Sequence, residues 1–494
     1  MDHEPSAGRC VTRREFLRVA GFGAAGALAG CRLPAEEPAA APARPPNILF
    51  ILADDLGYGD LGCYGQKKVK TPHLDALAAE GMRFTQVYSG STVCAPSRCA
   101  LMTGYHTGHC RVRGNAAVPL RPEDVTAAEV LKRAGYATAL IGKWGLGEPG
   151  TTGVPNKKGF DYFFGYLNQR HAHNSWPTYL WRNEDRVALK NVVPQEDPVG
   201  AGVASEKREF SNDLFTKEAL EYVGRSKDKP FFLYLSYTVP HANNEAAKQG
   251  MEVPSDEPYA AEPWPQVEKN FAALVTRMDA DIGRLMAELK RLGLDGDTVV
   301  FFSSDNGPHK EGGHDPTFFW SSGPLRGTKR DLTDGGIRVP TIVRWPGRVK
   351  AGSVSDQVWA FWDFLPTAAE IAGAEPPKGI DGISMLPALL GRSEKGRDYL
   401  YWEFHERGFH QAVRMGDFKG IRHGLDGKVE LYNLRDDVGE AHDLAAEKPD
   451  VVKQVEEVLR TSRTDSAEFP VRPTPARVPG PPSGSRQPPA AAGG

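Results

Sequence analysis

Asn47-Ile48-Leu49-Phe50-Ile51-Leu52-Ala53-Asp54-Asp55 is an unbroken apolar run that ends on two acids. A strand with one wet face alternates apolar and polar residues, so a run without alternation belongs in a sheet covered on both sides. Phe231 to Tyr237 and Val299 to Phe302 repeat the pattern, and Tyr136 to Ile141 reads as a further strand. Helical patterns lie between them. Thr71-Pro72 starts one that shows Leu74, Leu77 and Ala78 and stops at Gly81, and Thr126 with Glu129 forms a capping box for another that ends at Gly135. An amphipathic stretch runs from about Val267 to Leu292. Strands alternating with helices predict an α/β fold: a large mixed, mostly parallel sheet flanked by helices.

After a short helix at Asp363 to Gly373 the pattern changes to strand-like pieces at Tyr399 to Phe404, Gln411 to Met415 and Val429 to Tyr432. These predict a smaller C-terminal α+β subdomain built on an antiparallel sheet, over residues 374–462, behind a catalytic domain over 47–373. Residues 463–494 are rich in Pro, Gly, Ser and Ala and poor in apolar side chains, the composition of a disordered tail.

A parallel sheet also says where a site belongs, because ligands gather beyond the carboxyl ends of its strands. Asp54-Asp55 follow the first strand directly, and Asp305-Asn306-Gly307 follow the strand at 299–302. Each group alone reads as a solvated turn. Brought together, they offer hard oxygen donors suited to Ca²⁺ or Mg²⁺ rather than zinc, since no matching His/Cys set accompanies them.

A second stretch, Val93-Cys94-Ala95-Pro96-Ser97-Arg98-Cys99-Ala100-Leu101-Met102-Thr103-Gly104, sets a thiol and an arginine one helical turn apart. Pro96 and Ser97 read as a turn and helix start, which would aim free N–H groups and the positive end of the helix dipole at an anion. The run resembles the C-x-P-x-R signature of the formylglycine-dependent sulfatases. That resemblance implies an alkaline phosphatase-like fold and makes Cys94 the precursor of 3-oxoalanine (formylglycine), formed by a formylglycine-generating enzyme during maturation. A hydrated aldehyde carries two hydroxyls on one carbon, so one can attack sulfur while the other later helps expel sulfate. The resemblance further implies that Asp54, Asp55, Asp305, Asn306 and residue 94 hold one Ca²⁺, in preference to Mg²⁺. It gives Arg98 the task of holding the nucleophile's oxygens.

Three more segments match the family in its order. Gly135-Tyr136-Ala137-Thr138-Ala139-Leu140-Ile141-Gly142-Lys143-Trp144 looks like the second sulfatase signature, whose lysine contacts sulfate. Val239-Pro240-His241 corresponds to a histidine that contacts sulfate and protonates the leaving oxygen. Gly327-Thr328-Lys329 with Asp334-Gly335-Gly336 resembles the segment that delivers a second sulfate-binding lysine. The implied catalytic set is therefore Cys94, Arg98, Lys143, His241 and Lys329. One departure stands out: the second signature usually continues Lys-Trp-His, whereas Gly145 follows Trp144 here. Elimination of sulfate needs a base, and His109 or His173 is a candidate to supply it.

The implied reaction is hydrolysis of a sulfate monoester of a small molecule or glycan. Two alternatives share these residues: a formylglycine-dependent phosphonate monoester or phosphodiester hydrolase, and a non-catalytic envelope binding protein. Trp176, Tyr179, Trp181, Trp320 and Trp402-Glu403-Phe404 offer aromatic surfaces for sugar rings or simply for packing.

Thr12-Arg13-Arg14-Glu15-Phe16-Leu17-Arg18, a Gly/Ala-rich apolar run and Leu28-Ala29-Gly30-Cys31 resemble a twin-arginine export signal joined to a lipoprotein cleavage box over residues 1–31. Export to the periplasm or outer cell envelope with a lipid anchor at Cys31 follows, and residues 32–46, rich in Ala and Pro, read as a tether. The anchor is the only membrane contact expected. A net charge of -3 excludes general nucleic-acid binding. Cys63, Cys99 and Cys110 are free, or two of them pair.

Overall fold

The computed structural model describes residues 44–392 and 396–471. The expected signal and lipid-anchor Cys31, nearly all of the tether and the end of the tail lie outside them.

The Asn47–Asp54 strand sits inside a ten-stranded sheet, hydrogen-bonded on one side to Phe231–Pro240 and on the other to Thr298–Ser304, parallel to both. Ala137–Lys143 and Tyr162–Tyr166 extend the parallel block beyond Phe231–Pro240. Thr341–Arg344 pairs antiparallel with Thr298–Ser304, and the distal strands Tyr179–Arg182 and Asp185–Ala188 form an antiparallel hairpin. The sheet is thus mixed and mostly parallel, as the sequence predicts.

Burial on both faces explains the missing alternation. Leu49 and Ile51 point into one core with the helices Ser211–Ser226 and Gln266–Arg291, while Ile48, Phe50 and Leu52 point into another with Cys94–Thr103, Ala127–Arg133 and Phe364–Ile371. The capping box at Thr126 and Glu129 is formed: Glu129 N–H donates to Thr126 Oγ1, and Thr126 N–H to the Glu129 carboxylate.

Beyond the large sheet, Leu400–Phe404, His410–Met415, Phe418–His423 and Val429–Asn433 form a separate antiparallel meander, with the helix Pro449–Thr461 on one face. The third of these strands escaped sequence reading because its second residue is a lysine. Lys419 is buried and held by Asp334 (2.7 Å) and Glu440 (3.0 Å).

The expected tail begins later than residue 463. Arg463 pairs with Glu403 (3.0 Å), Thr464 N–H donates to Gly108 O, and Phe469 is buried against the ring of His405 and Gly114. One phenylalanine and one arginine with a buried partner anchor a segment whose composition alone reads as loose. Cys63, Cys99 and Cys110 are free thiols.

Candidate active site

The carboxyl ends of the parallel strands are in register, and that alignment assembles the site. Ala53 pairs with Ser304 and Asp54 with Pro240, so Asp54-Asp55, Asp305-Asn306 and His241 leave the sheet at one edge. Lys143 ends its own strand at the same edge. Asp55 N–H donates to Asp305 Oδ1 (3.1 Å), and Asn306 Nδ2 donates to Asp55 Oδ1 (2.7 Å). Asp55 takes φ +66, a left-handed conformation that disfavours a side chain and is tolerated where surrounding contacts over-determine it.

Cys94 opens the helix Cys94–Thr103, which is buried along its whole length, and Ala95 N–H donates to Asn115 Oδ1 at 3.0 Å. The thiol Sγ lies 3.3 Å from Asp54 Oδ1. Burial, with Asp305 and Asp54 nearby, pushes the Cys94 thiol well above its ordinary value. A thiolate nucleophile requires the opposite environment.

One helical turn on, Arg98 reaches across the sheet edge. Its Nη2 and Nε donate to Asp305 Oδ2 (2.7 and 3.1 Å), its Nη1 donates to Lys143 O (3.0 Å) and to Ser236 Oγ, and Asp54 lies 3.6 Å away. Lys143 Nζ donates to Asp54 Oδ2 (2.7 Å). Lys329 Nζ donates to Asp55 Oδ2 (2.7 Å), Glu311 Oε2 (3.1 Å) and His241 Nε2 (3.1 Å). His241 Nδ1 donates to Ala242 O (2.7 Å), so its Nε2 is the lone-pair side. Burial first and Lys329 second push His241 down to about 3, a neutral imidazole.

The carboxylates divide electrostatically. Burial works to raise Asp54, but Lys143, His241, Arg98 and Lys329 hold it well below its ordinary value. Asp305 goes the other way: burial and the neighbouring Asp54 push it up to about 7 despite Arg98. A cation among these carboxylates would relieve that repulsion. The donor set fits a divalent ion on a further observation: Asn306 Oδ1 is buried and accepts no hydrogen bond, while Nδ2 of the same amide is used. Asp54, Asp55, Asp305 and that amide oxygen would hold a divalent ion, with residue 94 beside them.

All the residues expected in the site from sequence converge, and the two histidines proposed to replace the missing base separate. His173 stands at the site, its ring stacked on His241 (5.0 Å between centroids, 13° between planes) and its Nδ1 3.1 Å from Glu245. His109 does not. It pairs with Asp381 (2.9 Å) and stacks on His106, past the opposite end of the Cys94–Thr103 helix, so the expectation of His109 as the base is corrected. Neighbouring His106 accepts Gly108 N–H on Nδ1, which leaves its proton on Nε2, facing Asp381 at 3.6 Å.

Sequence reasoning missed three members. Ser236 lies inside an apolar run that reads only as a strand. Glu311 bridges Lys329 and Arg330 from a loop without a motif, and those cations, with His241, hold it well below its usual range against burial. His309 donates from Nε2 to Pro240 O and accepts Glu311 N–H on Nδ1. Of the aromatic candidates, Trp402, Phe404 and Trp176 are packed in cores, with Trp402 Nε1 donating to Ser89 O, and Glu403 is held by Arg113. Trp320 is 58% exposed.

Residues 46–374 match the family described as sulfatase, and 328–465 match the C-terminal family described as N-sulphoglucosamine sulphohydrolase. The chain is 33% identical to an N-acetylgalactosamine-6-sulfatase of Sus scrofa over 404 residues, 76% of this chain and 71% of that one. It is 30% identical to an N-acetylgalactosamine-6-O-sulfatase of Bacteroides thetaiotaomicron over 88% of this chain and 97% of the relative. Among solved structures, Ps i-CgsB in complex with k-i-k-neocarrahexaose superposes with a TM-score of 0.72 at 27% identity, covering 85% of this chain and 93% of that one.

Proposed function

Because the chain belongs to the sulfatase family, sulfuric ester hydrolases of the alkaline phosphatase superfamily, we propose that it hydrolyses sulfate monoesters of carbohydrates through residue 94 carried as formylglycine. The reaction adds water across the ester: ROSO₃⁻ and H₂O give ROH, SO₄²⁻ and H⁺. The observation that carries the reading is the surroundings of Cys94, a buried thiol kept protonated beside Asp54 and ringed by Arg98, Lys143 and Lys329. A formylglycine hydrate there supplies the attacking hydroxyl, and Ca²⁺ supplies Lewis-acid polarisation of a sulfate oxygen.

The chain's own residues do the rest. Lys143 and Lys329 each hold a carboxylate in the resting site, and both ammoniums can turn to sulfate oxygens without leaving the pocket. When Lys329 does so, it releases His241 Nε2. A bound anion raises the proton affinity that Lys329 depresses, so the imidazole can then carry the proton needed by the leaving oxygen. The stack of His173 on His241 supports it as the residue that accepts a proton in the later elimination. The N-acetylgalactosamine-6-sulfatase relatives and the neighbour in complex with k-i-k-neocarrahexaose support a sulfated sugar as substrate.

The twin-arginine motif and Leu28-Ala29-Gly30-Cys31 support export with a lipid anchor, which Cys31→Ser would release from the membrane fraction. The activity is tested by sulfate release from sulfated monosaccharides and glycans and from an aryl sulfate, beside an aryl phosphodiester. Faster turnover of the phosphodiester would replace the sulfatase reading with the phosphodiesterase one.

A further inference from the structure

Of the nine tryptophans Trp320 alone is exposed, and the active site leaves it without a role. It sits midway along the loop from Asn306 to Lys329, both of which touch Asp55. The backbone is held on both sides of it. Trp320 N–H donates to Thr317 O (3.2 Å), Gly323 N–H to Trp320 O (2.7 Å) and Gly59 N–H to Ser321 O (2.7 Å). That pinning places Trp320 at φ +57, a conformation that glycine adopts freely and a bulky side chain does not. Phe319, the residue before it, already anchors the loop in the core. An indole that is mostly in solvent and sits on a strained backbone is poorly explained by folding, and such outliers gather at ligand sites.

The chain alongside supplies charge. Gln66 Nε2 donates to Gly59 O and Phe319 O (both 3.0 Å), and Lys68 Nζ donates to Phe318 O (3.2 Å) while lying 4.4 Å from the centre of the Phe318 ring. The segment Gln66-Lys67-Lys68-Val69-Lys70 therefore runs beside the tryptophan's loop. Its three lysines are exposed, and among the described residues no carboxylate pairs with them. Asp315, five residues before Trp320, accepts Thr317 N–H and Oγ1–H (2.9 and 2.8 Å). An exposed aromatic face beside ammoniums that no carboxylate pairs suits a sugar ring bearing anionic groups. The ring's C–H face lies on the indole, and its charged oxygens accept from lysine.

We propose that Trp320 with Lys67, Lys68 and Lys70 forms a second carbohydrate site, outside the active site, that holds a further sulfated ring of a polymeric substrate. The class of ligand rests on the sulfatase reading. None of these four residues touches the catalytic groups, so the site adds affinity for a long chain and leaves the cleavage of a single sulfated sugar unchanged.

The test is calorimetric binding of chondroitin sulfate and of a sulfated galactan, each beside its desulfated form, to the full chain carrying Cys94→Ala so that no ester is consumed. Trp320→Gly removes the indole and suits the left-handed backbone, and Trp320→Phe keeps an aromatic face, so a poorly folded variant does not decide the result. Affinity for the sulfated polymer should fall about fivefold in Trp320→Gly and be largely kept in Trp320→Phe, the size of one ring contact. Lys67→Ala combined with Lys70→Ala should weaken the sulfated polymer and leave the desulfated one unchanged, with a difference that shrinks as salt rises. In the active enzyme, kcat/KM on a sulfated monosaccharide should stay within about twofold in Trp320→Gly, below the loss expected on the polymer. Polymer affinity that ignores Trp320→Gly overturns the site, as does failure of both sulfated polymers to bind or equal binding of the desulfated forms. A change of oligomeric state in Trp320→Gly, read by sedimentation, would show that the indole meets a second copy and would overturn it too. The two readings fail separately. A wild type that holds the polymer through Trp320 but cleaves no ester refutes the proposed function, and an active enzyme indifferent to Trp320 refutes only this site.

Discussion

Arg98→Met tests the electrostatic logic of the site without touching the nucleophile. Methionine keeps much of the aliphatic stem, so the loss is mainly that of the guanidinium between Asp305 and Asp54, both fully buried. Removing one partner of a buried ion pair leaves an uncompensated charge and costs about 3–5 kcal/mol. In urea with chelator present, the midpoint should fall by that amount divided by the m-value, which stays unchanged. Added Ca²⁺ should recover more stability in the variant than in wild type, because the cation neutralises the same carboxylates. The contribution of Asp305 has a definite sign with pH. Burial and Asp54 place Asp305 at about 7, above its unfolded value of 3.8. The folded state therefore holds the extra proton on Asp305 between those values, and the contribution of Asp305 to stability in chelator falls as pH rises from about 4 to 7. The variant's deficit should shrink at pH 5, where Asp305 is protonated. A deficit under about 1 kcal/mol at pH 8 in chelator, against the 3–5 expected for a broken buried pair, would refute the reasoning.

Peptide mass spectrometry of active protein should find residue 94 as formylglycine, and Cys94→Ala should abolish turnover while leaving the circular dichroism spectrum unchanged; free thiol in fully active enzyme would end the mechanism. Asn306→Ala removes the unpartnered buried amide oxygen, so Ca²⁺ affinity measured by calorimetry should drop at least about tenfold, an effect typical of losing a metal-site contact; undiminished affinity would exclude Asn306 as a ligand. His109→Ala should leave kcat within about twofold, while His173→Ala should give a first-turnover burst followed by slow steady-state release, as expected when a proton-transfer residue worth about a hundredfold or more is lost. Gly145→His should not supply a base: φ +80 adds about 1–2 kcal/mol of backbone strain, and the overlap with Gln169 adds more, so both Tm and activity should fall.

Period and composition made the frame of this protein legible. A run such as Ile48 to Leu52 has no alternation because both sheet faces are covered, and that follows from the side chains alone. Strand ends carrying Asp54-Asp55 and Asp305-Asn306 could be placed at one edge because parallel topology puts all carboxyl ends together. The short motifs around Cys94, Lys143, His241 and Lys329 named the chemistry by resemblance. Burial of polar residues was not legible. Lys419 reads as a turn or surface residue until Asp334 and Glu440 are seen to enclose it, and the strand it belongs to was missed for that reason.

Tertiary structure alone decided between residues that sequence treats alike. His109 and His173 are both histidines near a motif, but one is held by Asp381 beyond the far end of the nucleophile helix and the other lies on His241. Nothing in local sequence distinguishes them, since their partners stand 272 and 72 residues away. Glu311 and Ser236 joined the site through Lys329 and Arg98 in the same manner. The gap left by Gly145 is filled from a different strand's connection, by Gln169. Sequence spacing determines which side chains share a helix turn or a strand face. Which of them meet across the sheet edge depends on long-range packing, and the partners that set a buried group's charge and hydrogen bonds are chosen there.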